Sequence, residues 1–324
     1  MSHVVVAEVV RSGFVEGRHH GSVVSLAADG SVAWSVGDAG EPILPRSCNK
    51  PVQALAMLRA GLELPPDLLA MACASHSGEE MHVERVHTIL RGAGLDAGHL
   101  QCPADWPLDP AVKEALLRRR GDRSRAHMNC SGKHAAMLAT CVVNGWSTHD
   151  YLDPAHPLQR LTVEVFAEMT GEEVDTIATD GCGAPLLSTS LTGLATAFRR
   201  LALGLDGRDE ADVRSMRIAE AIRTHPELVS GSTRDERALL AAVPGAIGKG
   251  GAEACHVVAL PDGRAVALKI EDGGERARPV VMVEALWRSG VLEVPGVDVV
   301  AVEGVGRHVL LGGGQPVGEV RSAF

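Results

Sequence analysis

The stretch Pro45–Gln53 reads PRSCNKPVQ and marks the point where the predicted secondary structure changes from strands to helices. Before it, short β-branched runs at 3–13 and 21–36 predict strands, with residues 28–30 (ADG) as a hairpin turn. After it, apolar residues recur at helical spacing, and Pro51 is typical of a first helical turn. The junction therefore separates a strand-rich N-terminal part from a long helical part.

Strand patterns return towards the C-terminus. Residues 255–260 and 264–270 form a hairpin pattern around a Pro-Asp-Gly turn, and residues 307–311 and 316–320 form a second pair around three glycines. Helical patterns occupy residues 80–93, 109–119, 131–144, 157–169, 189–204, 209–223 and 279–290. We therefore predict a mixed α+β fold with one antiparallel sheet built from both termini and packed with helices. The sheet would use residues of about 1–45 and 255–324, the helical part about 50–245, and the whole would form a single domain over 1–324.

Composition excludes several classes of function. The net charge of −10 and the lack of a long basic run argue against a nucleic-acid surface. No segment approaches the roughly 20 apolar residues that a membrane helix needs. Residues 1–13 lack a basic start and contain Glu8, so they indicate a strand rather than a signal peptide. The seven cysteines are odd in number and scattered, which makes a disulfide framework a poor interpretation and a cytoplasmic protein the default expectation.

Ser47 and Lys50 stand three residues apart at the predicted start of a helix. Residues at this spacing share a helix face, and a lysine made neutral by burial can remove a serine proton. The helix N-terminus would also favour a developing oxyanion. A capping serine followed by a solvated lysine explains the same letters, and the spacing alone favours that structural interpretation.

Residues 74–80 (ASHSGEE) place small polar side chains between a buried run and a helix start. Such a segment often lines a site. A capping box with Ser77 as N-cap and Glu80 three residues later is the structural alternative. Only one of Ser75 and Ser77 can be the cap, and the other can line a site. The two interpretations are therefore compatible.

Two cysteine segments have unusual neighbours. Residues 128–134 (MNCSGKH) hold a thiol, an amine and an imidazole at a helix start, and residues 179–185 (TDGCGAP) place a cysteine between glycines. Two thiolates are suitable ligands for zinc. Neither segment has C-x-x-C spacing, so spacing alone favours one loop cysteine and one cap.

Residues 245–254 (GAIGKGGAEA) bracket Lys249 with glycines just before a strand. Glycine permits close approach of a ligand, although a lysine-tipped turn is the simpler interpretation, and no Ser or Thr follows the lysine as a P-loop requires. The order S-x-x-K, Ser-x-Ser and Lys-Gly-Gly is similar to the three motifs of serine β-lactamases and penicillin-binding proteins.

Taken together, these motifs closely resemble the class 3 L-asparaginases of rhizobial type, the asparaginase II-like family. The matching segments are PRSCNKPVQ, ASHSGE, NCSGKHAAML, DGCGAP, HPELVSG and KGGAEA, and they span residues 45–254. The resemblance implies a serine β-lactamase/glutaminase-like fold and a catalytic domain that hydrolyses L-asparagine to L-aspartate and ammonia. It also implies a homodimer that acts on a small molecule, while the charge and hydropathy described above predict that the protein binds neither nucleic acid nor membrane.

The resemblance assigns the expected catalytic residues. Ser47 and Lys50 match its S-x-x-K pair, and Lys249 matches the lysine of its last motif. The serine of S-H-x-G-E is placed on Ser77, with Ser75 close by. That last motif ends here in Ala254, where a glycine is expected, which puts the geometry of this loop in question.

The resemblance also implies a Zn²⁺ cofactor held by two cysteines and a lysine. These positions match Cys130, Lys133 and Cys182, and Lys133 would have to be neutral to bind the metal. Asp180 would lie near the metal's water. Arg46, His134 and Asp180 are the expected substrate-binding residues.

The mechanism expected from these residues is a two-step acyl transfer in which Lys50 deprotonates Ser47, with Ser77 and Lys249 relaying a proton. Two alternatives remain at this point. One is a β-lactamase- or peptidase-like serine hydrolase, and the other is a non-enzymatic zinc- or amino-acid-binding protein.

Overall fold

The computed structural model of the protein describes residues 3–324. Met1 and Ser2 of the predicted N-terminal strand lie outside the described residues. The strands are β1 Val4–Arg11, β2 Phe14–Leu26, β3 Val32–Val36, β4 Ile177–Thr179, β5 Pro185–Leu187, β6 Ile247–Gly251, β7 Cys255–Ala259, β8 Ala265–Ile270, β9 His308–Gly312 and β10 Gln315–Ser322.

The α-helices are α1 Lys50–Arg59, α2 Pro66–Ala72, α3 Glu80–Gly92, α4 Pro110–Arg118, α5 Ser131–Asn144, α6 Pro157–Thr170, α7 Leu191–Leu203, α8 Val213–Thr224, α9 Pro226–Val229, α10 Asp235–Ala242, α11 Arg278–Arg288 and α12 Val299–Val305. Short 3₁₀ helices occupy Arg46–Asn49, Ala97–His99 and Val291–Glu293.

The main sheet is antiparallel and joins both ends of the chain. Its strand order is β6-β7-β8-β2-β1-β10-β9, and β3 pairs with the C-terminal half of β2. Strand β1 lies between β2 and β10, so the first and last strands of the chain are neighbours. A separate two-stranded sheet, β4–β5, lies in the helical part. The predicted α+β architecture, with a sheet from both termini, is therefore confirmed.

Helices cover both faces of the sheet at β7 and β8, which explains why these two strands are almost entirely buried and mostly apolar. In β8, Ala265 and Ala267 face the core under the helical part, whereas Val266 and Leu268 face a second core under α11 and α12. Successive side chains of a strand point to opposite faces, so a strand buried on both sides shows no polar alternation.

Most predicted helices appear within a few residues of their expected bounds. The largest shift is at the predicted helix 209–223, where α8 begins only at Val213. Four short helices, α2, α9, α10 and α12, had no predicted counterpart. The two late hairpins appear as β7–β8 and β9–β10. Within residues 3–324, no helix has both the length and the apolar content needed to cross a membrane.

The junction stretch forms the 3₁₀ helix Arg46–Asn49, which lies directly against the edge strand β6. A Cβ atom at Gly251, the last residue of β6, would lie 2.3 Å from the Pro45 carbonyl oxygen and 3.2 Å from Cys48 Sγ. Only glycine leaves this space, and Cys48 Sγ donates a hydrogen bond of 3.1 Å to the Lys249 carbonyl. The Ser-x-x-Lys and Lys-Gly-Gly motifs are therefore adjacent.

The turn after β6 keeps a left-handed backbone without the glycine that the family pattern predicts. Glu253 and Ala254 have φ values of 60° and 52°. An L-residue pays about 1–2 kcal/mol for this conformation. The turn still forms because its two strands, β6 and β7, pair in register from Ile247 to Gly251. Ala254 therefore adds backbone strain to this turn but does not change the pairing of β6 with β7.

A similar left-handed residue lies just beyond α4 and gives a clean test of this cost. Arg120 has φ 56° and an exposed side chain. We expect Arg120→Gly to raise the free energy of unfolding by about 1 kcal/mol, because glycine relieves the strain at a helix C-terminus. The matched control is the exposed Lys113→Gly inside the helix, which should lower it by about 1 kcal/mol. Urea titration of both variants measures the two changes; equal signs would contradict the interpretation.

Candidate active site

Lys50 is the first residue of α1, and its side chain is buried to 1% exposure. Its Nζ atom lies 2.6 Å from the Ala74 carbonyl oxygen and 2.8 Å from Ser75 Oγ. Burial lowers the pKa of Lys50, and the charges of Lys133 and Lys249 add to this effect against Cys130, which raises it. The site therefore contains an amine biased towards its neutral form, in contact with a hydroxyl.

Ser75 is held in place by the backbone on both sides of it. Its N–H donates to the Val229 carbonyl at 2.9 Å, and the N–H of His76 donates to the Asn129 carbonyl at 3.1 Å. The His76 ring accepts the Gly78 N–H at Nδ1, so its Nε2 carries the proton and donates to Ser131 Oγ at 2.8 Å. The loop thus joins the end of α9 to the start of α5.

Ser47 lies in the 3₁₀ helix before α1 and is half-buried. Among the described residues, its hydroxyl makes no hydrogen bond. The backbone N–H of Lys50 donates to the Ser47 carbonyl. The structure therefore places Ser47 beside the site but brings Lys50 into contact with Ser75 instead.

Ser77 is turned away from Lys50. Its hydroxyl donates to the Ser230 carbonyl at 2.9 Å, and the residue is fully buried. The predicted cap is also different, because Glu79 rather than Ser77 precedes α3 and forms a capping box with His82. Within S-H-x-G-E, the serine that reaches the lysine is Ser75.

Three acidic or thiol groups meet next to Lys50. The ligand atoms of Cys130, Asp180 and Cys182 all lie within 4.8 Å of one another. Lys133 Nζ lies 3.2 Å from Cys182 Sγ, and Cys130 Sγ lies 3.0 Å from Asn129 Oδ1. The residues that the family resemblance assigned to zinc are therefore brought together.

The electrostatics of this cluster favour a thiolate at Cys182. A hydrogen bond from the Cys130 thiol, together with Lys133 and His134, lowers the pKa of Cys182 well below its ordinary value against the effect of burial. Burial disfavours the charged form of Lys133, but Cys182, Cys130 and Asp180 outweigh it and raise the pKa of Lys133. Thiolate and ammonium thus form a buried pair.

His134 lies against the same cluster with its ring orientation fixed. Its Nδ1 atom is 2.8 Å from the Tyr151 hydroxyl, which in turn accepts the Gln101 N–H at 3.0 Å. Tyr151 therefore donates to Nδ1, and the proton of the neutral ring lies on Nε2. That Nε2 atom is buried without a hydrogen-bond partner among the described residues. A donor is left available beside Cys182.

Arg46 lies at the partly exposed rim of the site, where it contacts two acidic residues. Its Nε donates to Asp180 Oδ1 at 2.9 Å, and its Nη1 lies 3.6 Å from Glu253 Oε1. The residue adopts φ 54°, a strained backbone that the two flanking loops hold in place. Arg46 and Asp180 are partly exposed, whereas Lys50 and Cys182 are not. The Arg46 side is therefore where solvent reaches the cluster.

Lys249 completes the site from β6. Its Nζ atom lies 3.2 Å from Glu236 Oε2 and 2.8 Å from the Gly250 carbonyl oxygen, and the side chain is fully buried. Its charge lowers the pKa of Lys50, so the two amines lie within electrostatic range.

The predicted residues thus converge, with two differences in contact. Ser75 replaces Ser77 and Ser47 as the serine bonded to Lys50, and Glu236 was not predicted at all. Strict alignment to S-H-x-G-E would have indicated Ser75. No signal in the sequence marks Glu236 as buried, since Asp235 and Arg237 beside it are also charged.

Comparison with known proteins gives a family and several similar folds. The sequence profile of the family described as L-asparaginase II matches residues 7–322. No curated protein matches the chain. Similar solved structures include a β-lactamase from Mycobacterium bovis, with 14% identity, TM-score 0.46, and 83% of this chain and 94% of that chain covered.

Two further structures are similar at the same level. A Bacillus glutaminase has 12% identity and TM-score 0.41, with 84% of this chain and 91% of that chain covered. A penicillin-binding protein homologue from Pyrococcus abyssi has 14% identity and TM-score 0.44, with 86% and 75% covered. At these TM-scores the similarities assign no role to any residue.

Proposed function

The chain belongs to the L-asparaginase II family, and we propose from that premise that it hydrolyses L-asparagine to L-aspartate and ammonia. The observation that carries the proposal is the 2.8 Å contact between Lys50 Nζ and Ser75 Oγ in a buried site. A lysine biased towards neutrality, beside a hydroxyl, is the arrangement that serine amidohydrolysis requires. Family and site chemistry together support an amidohydrolase.

In the proposed reaction Lys50 accepts the proton of Ser75 while Ser75 Oγ bonds to the side-chain amide carbon of asparagine. Lys50 Nζ already donates to the Ala74 carbonyl, which leaves the lone pair of the neutral amine for the hydroxyl proton. Lys50 then gives this proton to the amide nitrogen of the substrate, and the tetrahedral intermediate expels ammonia. Water then attacks the acyl-enzyme and releases aspartate, with Lys50 again as base.

Ser47 is the second candidate for the nucleophile. It lies three residues before Lys50, half-buried in the 3₁₀ helix that precedes α1, and its hydroxyl makes no hydrogen bond among the described residues. The existing contact favours Ser75 for the proton transfer, because proton transfer requires hydrogen-bond distance.

Substrate charge is matched by Arg46 and Asp180. Asparagine carries an α-carboxylate and an α-ammonium, and these two side chains offer one opposite charge for each. The two already form an ion pair at 2.9 Å on the exposed rim of the site. Binding would exchange this pair for two pairs with the substrate, which orients the side-chain amide inwards towards Ser75.

The thiol cluster fits the zinc ion that the family resemblance implies. Cys130, Lys133 and Cys182 would hold the ion, with Asp180 close enough to orient a water. Two thiolates are a suitable donor set, and a buried lysine can bind only after losing its proton. Bound zinc would supply positive charge that orients the substrate and polarises its carbonyl. Lys133 and His134 both lie beside Cys182 in this cluster.

The direct test is ammonia release from L-asparagine, with L-glutamine and buffer as comparisons. We expect turnover of asparagine to exceed that of glutamine and buffer. Rapid turnover of the β-lactam nitrocefin without ammonia release from asparagine would instead favour a β-lactamase-like hydrolase, and binding of asparagine without turnover would favour a sensor.

Serine substitutions distinguish the three hydroxyls. We expect Ser75→Ala to lower kcat by at least about 10³-fold, because it removes the hydroxyl bonded to Lys50. Ser77→Ala is the matched control, since its hydroxyl bonds to a backbone carbonyl; it should cost about 1 kcal/mol of stability and leave kcat nearly unchanged. Steady-state kinetics and mass detection of an acyl-enzyme measure the outcome. An acyl group retained in Ser75→Ala and lost in Ser47→Ala would make Ser47 the nucleophile.

The metal proposal is tested by native mass spectrometry of the purified protein. We expect about one zinc per chain, lost in Cys182→Ala and kept in Cys141→Ala, a buried cysteine outside the cluster. Chelation should raise KM more than it lowers kcat if zinc orients the substrate. The same spectra give the subunit number, for which we propose two. Zinc retained in Cys182→Ala would contradict the ligand assignment.

A further inference from the structure

Lys249 and Glu236 form a buried ion pair that the reaction above does not explain. Lys249 on β6 has no exposed surface, and the Glu236 side chain on α10 is 5% exposed. Their charged atoms lie 3.2 Å apart. Burying two charges is unfavourable unless good geometry and further hydrogen bonds compensate for the lost hydration.

The carboxylate of Glu236 is held ionised by further cations. Arg234 Nη2 lies 3.0 Å from its Oε1, and Arg278 Nη1 lies 3.9 Å from the same atom. Burial raises the pKa of a carboxyl, but Lys249, Arg234 and Arg278 outweigh it and hold the pKa of Glu236 well below its usual range. Arg278 is itself fixed by two hydrogen bonds to Asp235, of 2.9 and 3.1 Å.

The backbone of β6 is shaped to admit this carboxylate. A Cβ atom at Gly250 would lie 2.3 Å from Glu236 Oε1 and 3.1 Å from Arg278 Nη1. No residue other than glycine leaves that space. Gly250 therefore leaves room for the Glu236 carboxylate to reach the side chain of Lys249. This contact links the Lys-Gly-Gly motif to Glu236.

Without Glu236, the amine of Lys249 would be buried with no negative partner among the described residues, and desolvation and neighbouring like charges both disfavour a buried ammonium. With Glu236 in place, two of the three N–H bonds of the ammonium are used, by Glu236 and by the Gly250 carbonyl. One N–H of Lys249 is left without a hydrogen-bond partner among the described residues, and the charge of Lys249 acts on Lys50.

We propose that Glu236 is a positioning residue that keeps Lys249 as a fixed ammonium, so that Lys249 serves the reaction as a permanent hydrogen-bond donor and positive charge. The proposal rests on the proposed function for the use that the reaction makes of that charge. It assigns the base role to Lys50 alone and separates the two lysines that the sequence motifs treat alike.

The other titratable groups near the pair can be distinguished from Lys249 when its titration is measured. The titratable and charged neighbours are Cys48, Lys50, Cys73, Arg234, Asp235, Cys255, His256 and Arg278. Burial raises the pKa of Cys73 to about 12 and that of Cys48 well above its ordinary value, and burial with Arg278 lowers the pKa of His256 to about 4. Lys50 is distinguished by residue-specific signals, and Cys255 by a Cys255→Ala control.

The test observes Lys249 directly by NMR of lysine labelled with ¹³C at Cε. The chain has five lysines, so each signal can be assigned by single substitution. In Glu236→Gln we expect the Lys249 signal to titrate at least about one pH unit lower than in the wild type, since its negative partner is gone. Glu236→Asp should restore part of the difference. Glu275→Gln, which removes an exposed partner of Arg278, and Cys255→Ala should leave the signal unchanged.

A folded Glu236→Gln protein whose Lys249 titrates as in the wild type would overturn the proposal. If that variant does not fold, kcat is compared between Lys249→Gln and the double variant Lys249→Gln/Glu236→Gln, which contains no unpaired member of the pair. A residue that acts only through Lys249 adds no further loss there, whereas a further tenfold fall would overturn the proposal. The NMR measurement needs no substrate. Absence of asparagine turnover would therefore refute the proposed function while leaving this inference to its own test.

Discussion

The site buries three lysine side chains, and each of them needs a polar partner. An isolated ammonium without such a partner does not keep its charge in a protein interior. Lys50, Lys133 and Lys249 are exposed by only 1%, 2% and 0%. Each has a different partner: a hydroxyl and a carbonyl for Lys50, a sulfur for Lys133 and a carboxylate for Lys249. These partners, not the lysines themselves, give the three amines different electrostatic surroundings.

The fold supplies the partners from segments far apart in the chain. Lys50 begins α1 while Ser75 follows α2, and Lys133 lies on α5 while Cys182 lies in the turn between β4 and β5. Strand β6, at an edge of the main sheet, carries Lys249 against both the 3₁₀ helix and α10. An edge strand suits this purpose, because one of its sides is free of strand partners and can receive other elements.

The sequence allows prediction of the segments that form the site but not of every contact within it. Chemistry-bearing residues between glycines and apolar runs are visible as motifs, so all five segments were identified. The Ser47–Lys50 contact was expected from helical spacing, but Ser47 lies in a 3₁₀ helix and Lys50 starts α1. Spacing rules for an α-helix do not hold across that change of geometry.

Glu236 could not be predicted for a different reason. Helix α10 is only eight residues long and begins at Asp235 without a side-chain cap. A glutamate in a run of charged residues is normally solvated, and only the tertiary fold shows that this one is buried. Long, periodic elements and motif segments were therefore accessible from the sequence, whereas short helices and the choice of charge partner were not.

The pairing of charges has a consequence for the reaction itself. Before zinc binds, Lys133 is balanced by the Cys182 thiolate, Lys249 by Glu236 and Arg46 by Asp180. With Lys50 neutral, the site is close to electroneutral before a zwitterionic substrate enters, so binding need not bring in an unbalanced charge. The tetrahedral oxyanion would then form together with the Lys50 ammonium, because Lys50 accepts the Ser75 proton, in a site where the charge of Lys249 is already held in place by Glu236. Preorganised charge of this kind stabilises a transition state more than the ground state, because it requires no rearrangement when the charge appears.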